Sequence, residues 1–191
     1  MKEENKLYNT CKIIYTFLLK ILFRPKVYGI ENIPKEGSLI FAGNHKHAVD
    51  PVVVMSSTER IVHYMAKESL FKGIHGKIFK KIGIIKVYRT KSNPVAVMQA
   101  EKILENGGTI GIFPEGTRNK TKQELLKFRK GTVVIAQRTG AKILPFAIRG
   151  KYRLFRKGLE IEFGKLIDVS NMEIEEANEY LRNKVLELLR K

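Results

Sequence analysis

Six short apolar runs constrain this chain more than any other feature: residues 38–43 (SLIFAG), 61–66 (IVHYMA), 84–88 (IIKVY), 109–113 (TIGIF), 142–148 (KILPFAI) and 159–163 (LEIEF). Runs of this length, rich in Ile, Val and Phe, read as buried strands. Segments with helical spacing follow most of them. Asp50-Pro51 opens a helix through Met55, with Asp as a preferred N-cap and Pro as a preferred first helical residue. Residues 70–82 form a basic helix weakened by Gly73 and Gly76. A helix runs from Pro94 to Glu105 and is closed by Asn106-Gly107-Gly108, and another runs from Gly131 to Thr139 and is closed by Gly140. Residues 173–191 form a last helix, acidic at its start and basic at its end. A short strand and turn are expected over 27–37, and Pro145 inside its run predicts an edge strand or a bulge. Strands separated by helices imply an α/β fold, a mostly parallel sheet covered by helices on both faces.

The first 24 residues stand apart. Over 6–24 (KLYNTCKIIYTFLLKILFR), Leu7, Cys11, Ile14, Leu18, Ile21 and Leu22 cluster on one side of a helix. Tyr8, Tyr15, Phe17 and Leu19 widen that side, and Asn9, Thr16, Lys20 and Arg24 form a narrow polar strip. A wide apolar face edged with bases suits a helix lying in a membrane interface, and Pro25 ends it. The division expected is therefore an N-terminal amphipathic membrane-anchoring helix over 1–26 and one domain over 27–191. The longest apolar run, Ile13 to Phe23, contains Lys20 and falls short of the ~20 residues a spanning helix needs. It also lacks a signal-peptide cleavage site, so the chain reads as intracellular and either soluble or lying on a membrane as a peripheral or monotopic protein.

Lys and Arg number 36 against 19 for Asp and Glu, a net charge of +17. That excess speaks of partners rather than fold: an anionic membrane surface, an anionic substrate or nucleic acid. A single cysteine, Cys11, excludes a disulfide framework and a cysteine-rich zinc module.

In an open α/β sheet, ligands sit beyond the carboxyl ends of the strands. Three polar clusters fall there and are expected to share one rim: Asn44 to Asp50, Arg89 to Lys91, and Pro114 to Asn119. His45 and Asp50 are close enough for the carboxylate to fold back onto the imidazole. Asp50 would then fix the tautomer and leave the other ring nitrogen as a base toward a hydroxyl. On spacing alone, a loop histidine beside an N-capping aspartate is the preferred reading, and a metal set of His45, His47 and Asp50 is a weaker alternative. Arg89, Arg118, Lys67 and Lys130 read as a phosphate clamp, since Arg pairs bidentately with phosphate and Lys acts as a point charge. Amides around Gly116 and at the start of the Gly131 helix could add donors.

Together these residues resemble the 1-acylglycerol-3-phosphate acyltransferases. Asn44-His45…Asp50-Pro51 resembles the family's first motif, a His and an Asp separated by four residues. Gly83 to Arg89 resembles the second motif, Phe113 to Asn119 the third, and Ile143 to Phe146 the looser fourth. Met65 to Glu68 and Phe128 to Gly131 are similar to further family stretches. All occur in family order over about residues 27–150.

The resemblance implies that His45 is the general base on the sn-2 hydroxyl of lysophosphatidic acid and that Asp50 orients it. Attack on an acyl thioester would expel coenzyme A or acyl carrier protein and leave phosphatidic acid. Arg89, Arg118, Lys67 and Lys130 would hold the acceptor phosphate, while Asn44, Glu115, Gly116 and Thr117 shape the site. It implies no metal and no bound cofactor, and the cytoplasmic face of the cell membrane as the place of action. The basic loop 120–130 is a further candidate for contact with the membrane or an acidic carrier. Two alternatives stay open: a related acyltransferase acting on glycerol 3-phosphate or another lysolipid, and a basic nucleic-acid-binding protein. No specific nucleic-acid module is discernible.

Overall fold

The computed structural model describes residues 2–88 and 93–191, with the backbone alone for residues 2–5 and 75. The chain runs α1 (Lys2–Leu22), β1 (Lys26–Tyr28), β2 (Leu39–Gly43), α2 (Asp50–Ser56), β3 (Val62–Lys67), α3 (Gly73–Lys81), β4 (Ile85–Val87), α4 (Pro94–Glu105), β5 (Thr109–Ile112), α5 (Gly131–Thr139), β6 (Lys142–Gly150), β7 (Leu159–Phe163) and α6 (Ile174–Leu189). The seven strands form one sheet in the order β1-β7-β6-β2-β5-β3-β4. Every neighbouring pair is parallel except the antiparallel β6–β7. The mostly parallel α/β sheet expected from the alternation is present.

β2 explains the burial pattern. All five of its residues are buried. Leu39 and Phe41 point to one face, where they meet Val53 and Val54 of α2 and Tyr8 and Leu19 of α1. Ile40 and Ala42 point to the other face, toward Ala100 and Leu104 of α4, Val133 of α5 and Leu181 of α6. A strand covered on both faces has no polar side to alternate with, hence its continuous apolar run.

Four local expectations are changed or narrowed. Asp50 is the first residue of α2 and not its N-cap, which is Val49. The basic helix starts at Gly73, after a 3-10 turn over Glu68–Phe71. Gly76 is a close-contact point within it, because a Cβ there would lie 2.0 Å from the Phe71 carbonyl oxygen. Pro145 lies in an interior strand, since β6 pairs with β2 on one side and β7 on the other. On the β7 side, however, the pairing jumps from Phe146↔Phe163 to Ile143↔Ile167. Two residues there oppose three, a bulge that relieves the missing N–H.

The fourth change concerns α1. It packs on α2 through a side that includes Tyr8, whose hydroxyl accepts the Val62 N–H at 2.9 Å. Thr16, expected on the polar strip, is half-buried. The Lys12 ammonium, likewise half-buried, donates to the Thr58 carbonyl. The outward side carries Ile13, Ile14, Phe17, Leu18 and Ile21, all exposed. This spacing of one and three residues makes a continuous apolar stripe.

Candidate active site

Three adjacent parallel strands, β6, β2 and β5, deliver their carboxyl ends to one place. The chain leaves β2 into His45, β5 into Phe113 and Glu115, and β6 into Tyr152. The first and third polar clusters therefore do share a rim. Arg89, Thr90 and Lys91 lie outside the described residues.

At the end of β2, the Asn44 amide donates to the Ile148 carbonyl at 3.0 Å and its oxygen accepts the Ile148 N–H at 2.7 Å. This ties the start of the loop to β6. The next residue is held by its backbone: the His45 N–H donates to Glu115 Oε1 at 2.7 Å, and its carbonyl accepts the Asn119 N–H at 2.6 Å. The ring stacks on Phe113 with centroids 4.2 Å apart.

His45 Nδ1 lies 2.7 Å from Asp50 Oδ2. Asp50 is fully buried. The same Oδ2 accepts the N–H groups of Lys46 and His47, each at 2.7 Å, and Oδ1 accepts the Tyr152 hydroxyl. Four donors on one buried carboxylate offset its desolvation and hold it as an acceptor for the imidazole N–H. With Nδ1 committed to Asp50, Nε2 has no partner among the described residues and is the nitrogen left for chemistry. Burial and the Asp50 charge push the Tyr152 phenol far above its ordinary range, so it stays a neutral donor.

The metal alternative finds no support in geometry. His47 Nδ1 accepts the Val49 N–H, its ring stacks on Tyr152, and the Asp50 oxygens are taken by donors. Among the described residues no group of three His, Cys, Asp or Glu side chains is arranged to hold a metal ion.

The remaining expected residues divide. Glu115 is buried and joins two loops: Oε1 accepts from His45 and Oε2 from the Leu126 N–H at 2.9 Å. Burial raises its pKa, an effect these two N–H donors oppose. It ties the His45 loop to the Leu126 loop, and no bond links it to Arg118. The Gly116 N–H is used within its own turn, donating to the Phe113 carbonyl, so it is not a free donor. Gly116 has φ +67, and a Cβ on it would lie 2.6 Å from Arg129 Nε, so the Arg129 side chain passes close over this turn. Thr117, Arg118 and Lys67 are exposed. The Lys130 ammonium is turned toward α6, where it pairs with Glu175.

An open cleft of about 360 Å³ borders the dyad, lined by Asn44, His45, Lys46, Glu115 and Asn119 among others. A larger one, about 600 Å³, lies between α3, β4 and α4 and is lined by Phe71, Lys77, Lys80, Ile84, Lys86 and Tyr88 among others.

Comparison with known proteins now bears directly on this geometry. A family model described as Acyltransferase matches residues 24–149, which span the dyad, Glu115 and β6. The chain belongs to the acyltransferase family. It is 33% identical over 177 residues to a 1-acyl-sn-glycerol-3-phosphate acyltransferase of Borreliella burgdorferi, covering 85% of this chain and 70% of that protein. It is 32% identical over 157 residues to the Bacillus subtilis protein of the same name, covering 80% and 77%. The fold is similar to the crystal structure of the 1-acyl-sn-glycerophosphate acyltransferase PlsC of Thermotoga maritima, with a TM-score of 0.74 and 24% identity over 97% of this chain and 78% of that one.

Two residues of this acyltransferase escaped the sequence reading. Arg129 sits within a family-like stretch, so a signal existed. Tyr152 reaches Asp50 from 102 positions away, and nothing local marks it. Tyr152→Phe retains the ring contacts with His47 and Phe23 and removes only the donor. A hydrogen bond to a charged group is worth about 1.5–3 kcal/mol. Turnover of the variant should fall about tenfold or more with little change in KM, measured by steady-state kinetics; an unchanged kcat would remove Tyr152 from the positioning of Asp50.

Glu115→Gln tests the loop junction. Glutamine offers one carbonyl oxygen where two N–H groups need separate acceptors, so one is left facing an NH₂. An unsatisfied buried donor costs about 1–3 kcal/mol. The denaturation midpoint should drop accordingly and transfer should fall with it; wild-type stability would show that Glu115 joins nothing essential.

Proposed function

We propose that this chain acylates the sn-2 hydroxyl of 1-acyl-sn-glycerol 3-phosphate, using an acyl thioester and yielding phosphatidic acid for phospholipid synthesis. The observation that carries the reading is the 2.7 Å His45–Asp50 bond, with Nε2 left unpartnered among the described residues, in a chain of this family. Nε2 takes the hydroxyl proton as the oxygen attacks the thioester carbonyl. The imidazolium that forms is stabilised by buried Asp50. Collapse of the tetrahedral intermediate breaks the C–S bond, and the proton held on Nε2 passes to the departing thiolate. These steps use no metal and no bound cofactor.

Arg118, exposed beyond the end of β5, and Lys67, the exposed last residue of β3, are assigned to the acceptor phosphate, with Arg129 beside Gly116 reinforcing them and Arg89 and Lys130 as further members of the clamp. The 600 Å³ cleft is of ordinary ligand size and combines lysines with apolar side chains, which suits a thioester of coenzyme A or acyl carrier protein. The enzyme works at the cytoplasmic face of the cell membrane, held peripherally on an anionic surface. Two observations support attachment to such a surface: the net charge of +17 and the exposed apolar stripe of α1. Among the described residues no helix is long and apolar enough to cross a membrane. The basic loop 120–130 keeps Lys120, Lys122 and Lys127 exposed for the same surface or for an acidic carrier.

The test is thiol release from long-chain acyl-coenzyme A and acyl carrier protein thioesters, with and without lysophosphatidic acid, beside the His45→Ala protein. Acceptor-dependent release by the wild type alone is expected. Release that ignores the acceptor, or none with either donor, would overturn the reading.

A further inference from the structure

We propose that the loop joining β6 to β7, residues 151–158, is a second membrane-contacting element, seated on an anionic lipid surface beside the C-terminal end of α1; this rests on the membrane reading above. The loop reads Lys-Tyr-Arg-Leu-Phe-Arg-Lys-Gly and contains no acid. Its four cations, Lys151, Arg153, Arg156 and Lys157, are exposed, and none forms an ion pair among the described residues. Between them, Leu154 and Phe155 are 60% and 63% exposed.

An adjacent Leu-Phe pair held outward at a loop tip loses free energy in water and gains it on entering a bilayer interface, and flanking cations match anionic headgroups. A nucleic acid would use the cations but gain nothing from Leu154, so the pair favours lipid.

The backbone shows that the tip is braced outward. Phe155 has φ +59, a left-handed conformation that bulky residues rarely adopt. Its N–H donates to the Leu22 carbonyl at 2.6 Å, which satisfies an orphan acceptor in the last turn of α1. The apolar tip is thereby tied to the helix that carries the stripe Ile13–Ile21. The loop's other end leads to the dyad: Tyr152 packs edge-on against Phe23, with centroids 5.3 Å apart, and donates to Asp50. The surface assigned to lipid thus adjoins the base that must meet a lipid hydroxyl.

The experiment is co-sedimentation of the full chain with vesicles of phosphatidylcholine alone and of phosphatidylcholine mixed with phosphatidylglycerol. Leu154→Ser/Phe155→Ser should lower partitioning onto mixed vesicles by about tenfold or more. Arg153→Gln/Arg156→Gln should lower it by about fivefold per charge at low salt, and this loss should shrink as salt rises. Phe17→Ser/Leu18→Ser on α1 tests the parent reading separately. Loss with both loop variants supports the proposal. Wild-type partitioning by both, alongside a loss in the α1 variant, would overturn the loop while leaving the membrane reading intact. A wild-type chain that ignores mixed vesicles would overturn both.

Discussion

His45→Ala should lower acyl transfer by about 10²–10⁴-fold, the contribution of a positioned general base. The fold should survive the change. The ring is partly exposed, and its stacking on Phe113 is worth about 0.5–1.5 kcal/mol. Removing it also leaves Asp50 with three of its four donors: the N–H groups of Lys46 and His47 and the Tyr152 hydroxyl. The carboxylate therefore does not become an isolated buried charge. Paired measurements of kcat/KM and of the urea midpoint check both halves. Wild-type-like turnover would remove the base from the mechanism.

At Asp50 two substitutions should part company. Asp50→Ala strips the acceptor from two backbone N–H groups, the imidazole and a phenol, all converging on a fully buried position. Removing one partner from a buried charged network costs about 3–5 kcal/mol. In a chain of this size that lowers Tm by about 10 °C. Asp50→Asn keeps the shape: its amide oxygen still accepts the N–H groups, and its NH₂ can donate to the Tyr152 oxygen. Most of the stability should return, yet transfer should stay about 10²–10⁴-fold down, because a neutral amide does not stabilise the imidazolium. Thermal unfolding alongside activity separates the two roles. Unchanged stability in the alanine variant would dismiss the stapling role, and full activity in the asparagine variant would dismiss the need for charge.

The family resemblance of the Asn44–Pro51 stretch, and not the spacing of His45 and Asp50 alone, made their pairing legible in the chain, and the alternation of apolar runs made the parallel sheet legible. Both signals are periodic or local. Apolar spacing likewise made α4, α5 and β7 legible to the residue. What was illegible depends on neighbours distant in sequence. Asp50 looks like a helix cap because sequence shows only the helix it opens; its two upstream amides come from a bend, and Tyr152 comes from the loop after β6. Pro145 reads as either an edge or a bulge, because the choice between them depends on how β7 and the residues after it pair beside the strand. Lys130 reads as a phosphate ligand, and only the fold shows that α6 also brings Glu175 to its ammonium. In α1 the apolar side is so wide that periodicity could not say which part meets α2 and which part water.

The backbone of His45 is anchored at both its N–H and its carbonyl, and its ring is braced by Phe113 and Asp50, every one of these contacts coming from the chain itself. The residue assigned as base therefore needs no group of the acceptor to hold it in place. Discrimination between one hydroxyl-bearing lipid and another must then fall to groups that grip the rest of the molecule, on the exposed loops around the rim. Descendants of such an enzyme could exchange one lipid for another by rewriting those loops while leaving the residues from Asn44 to Asp50 untouched.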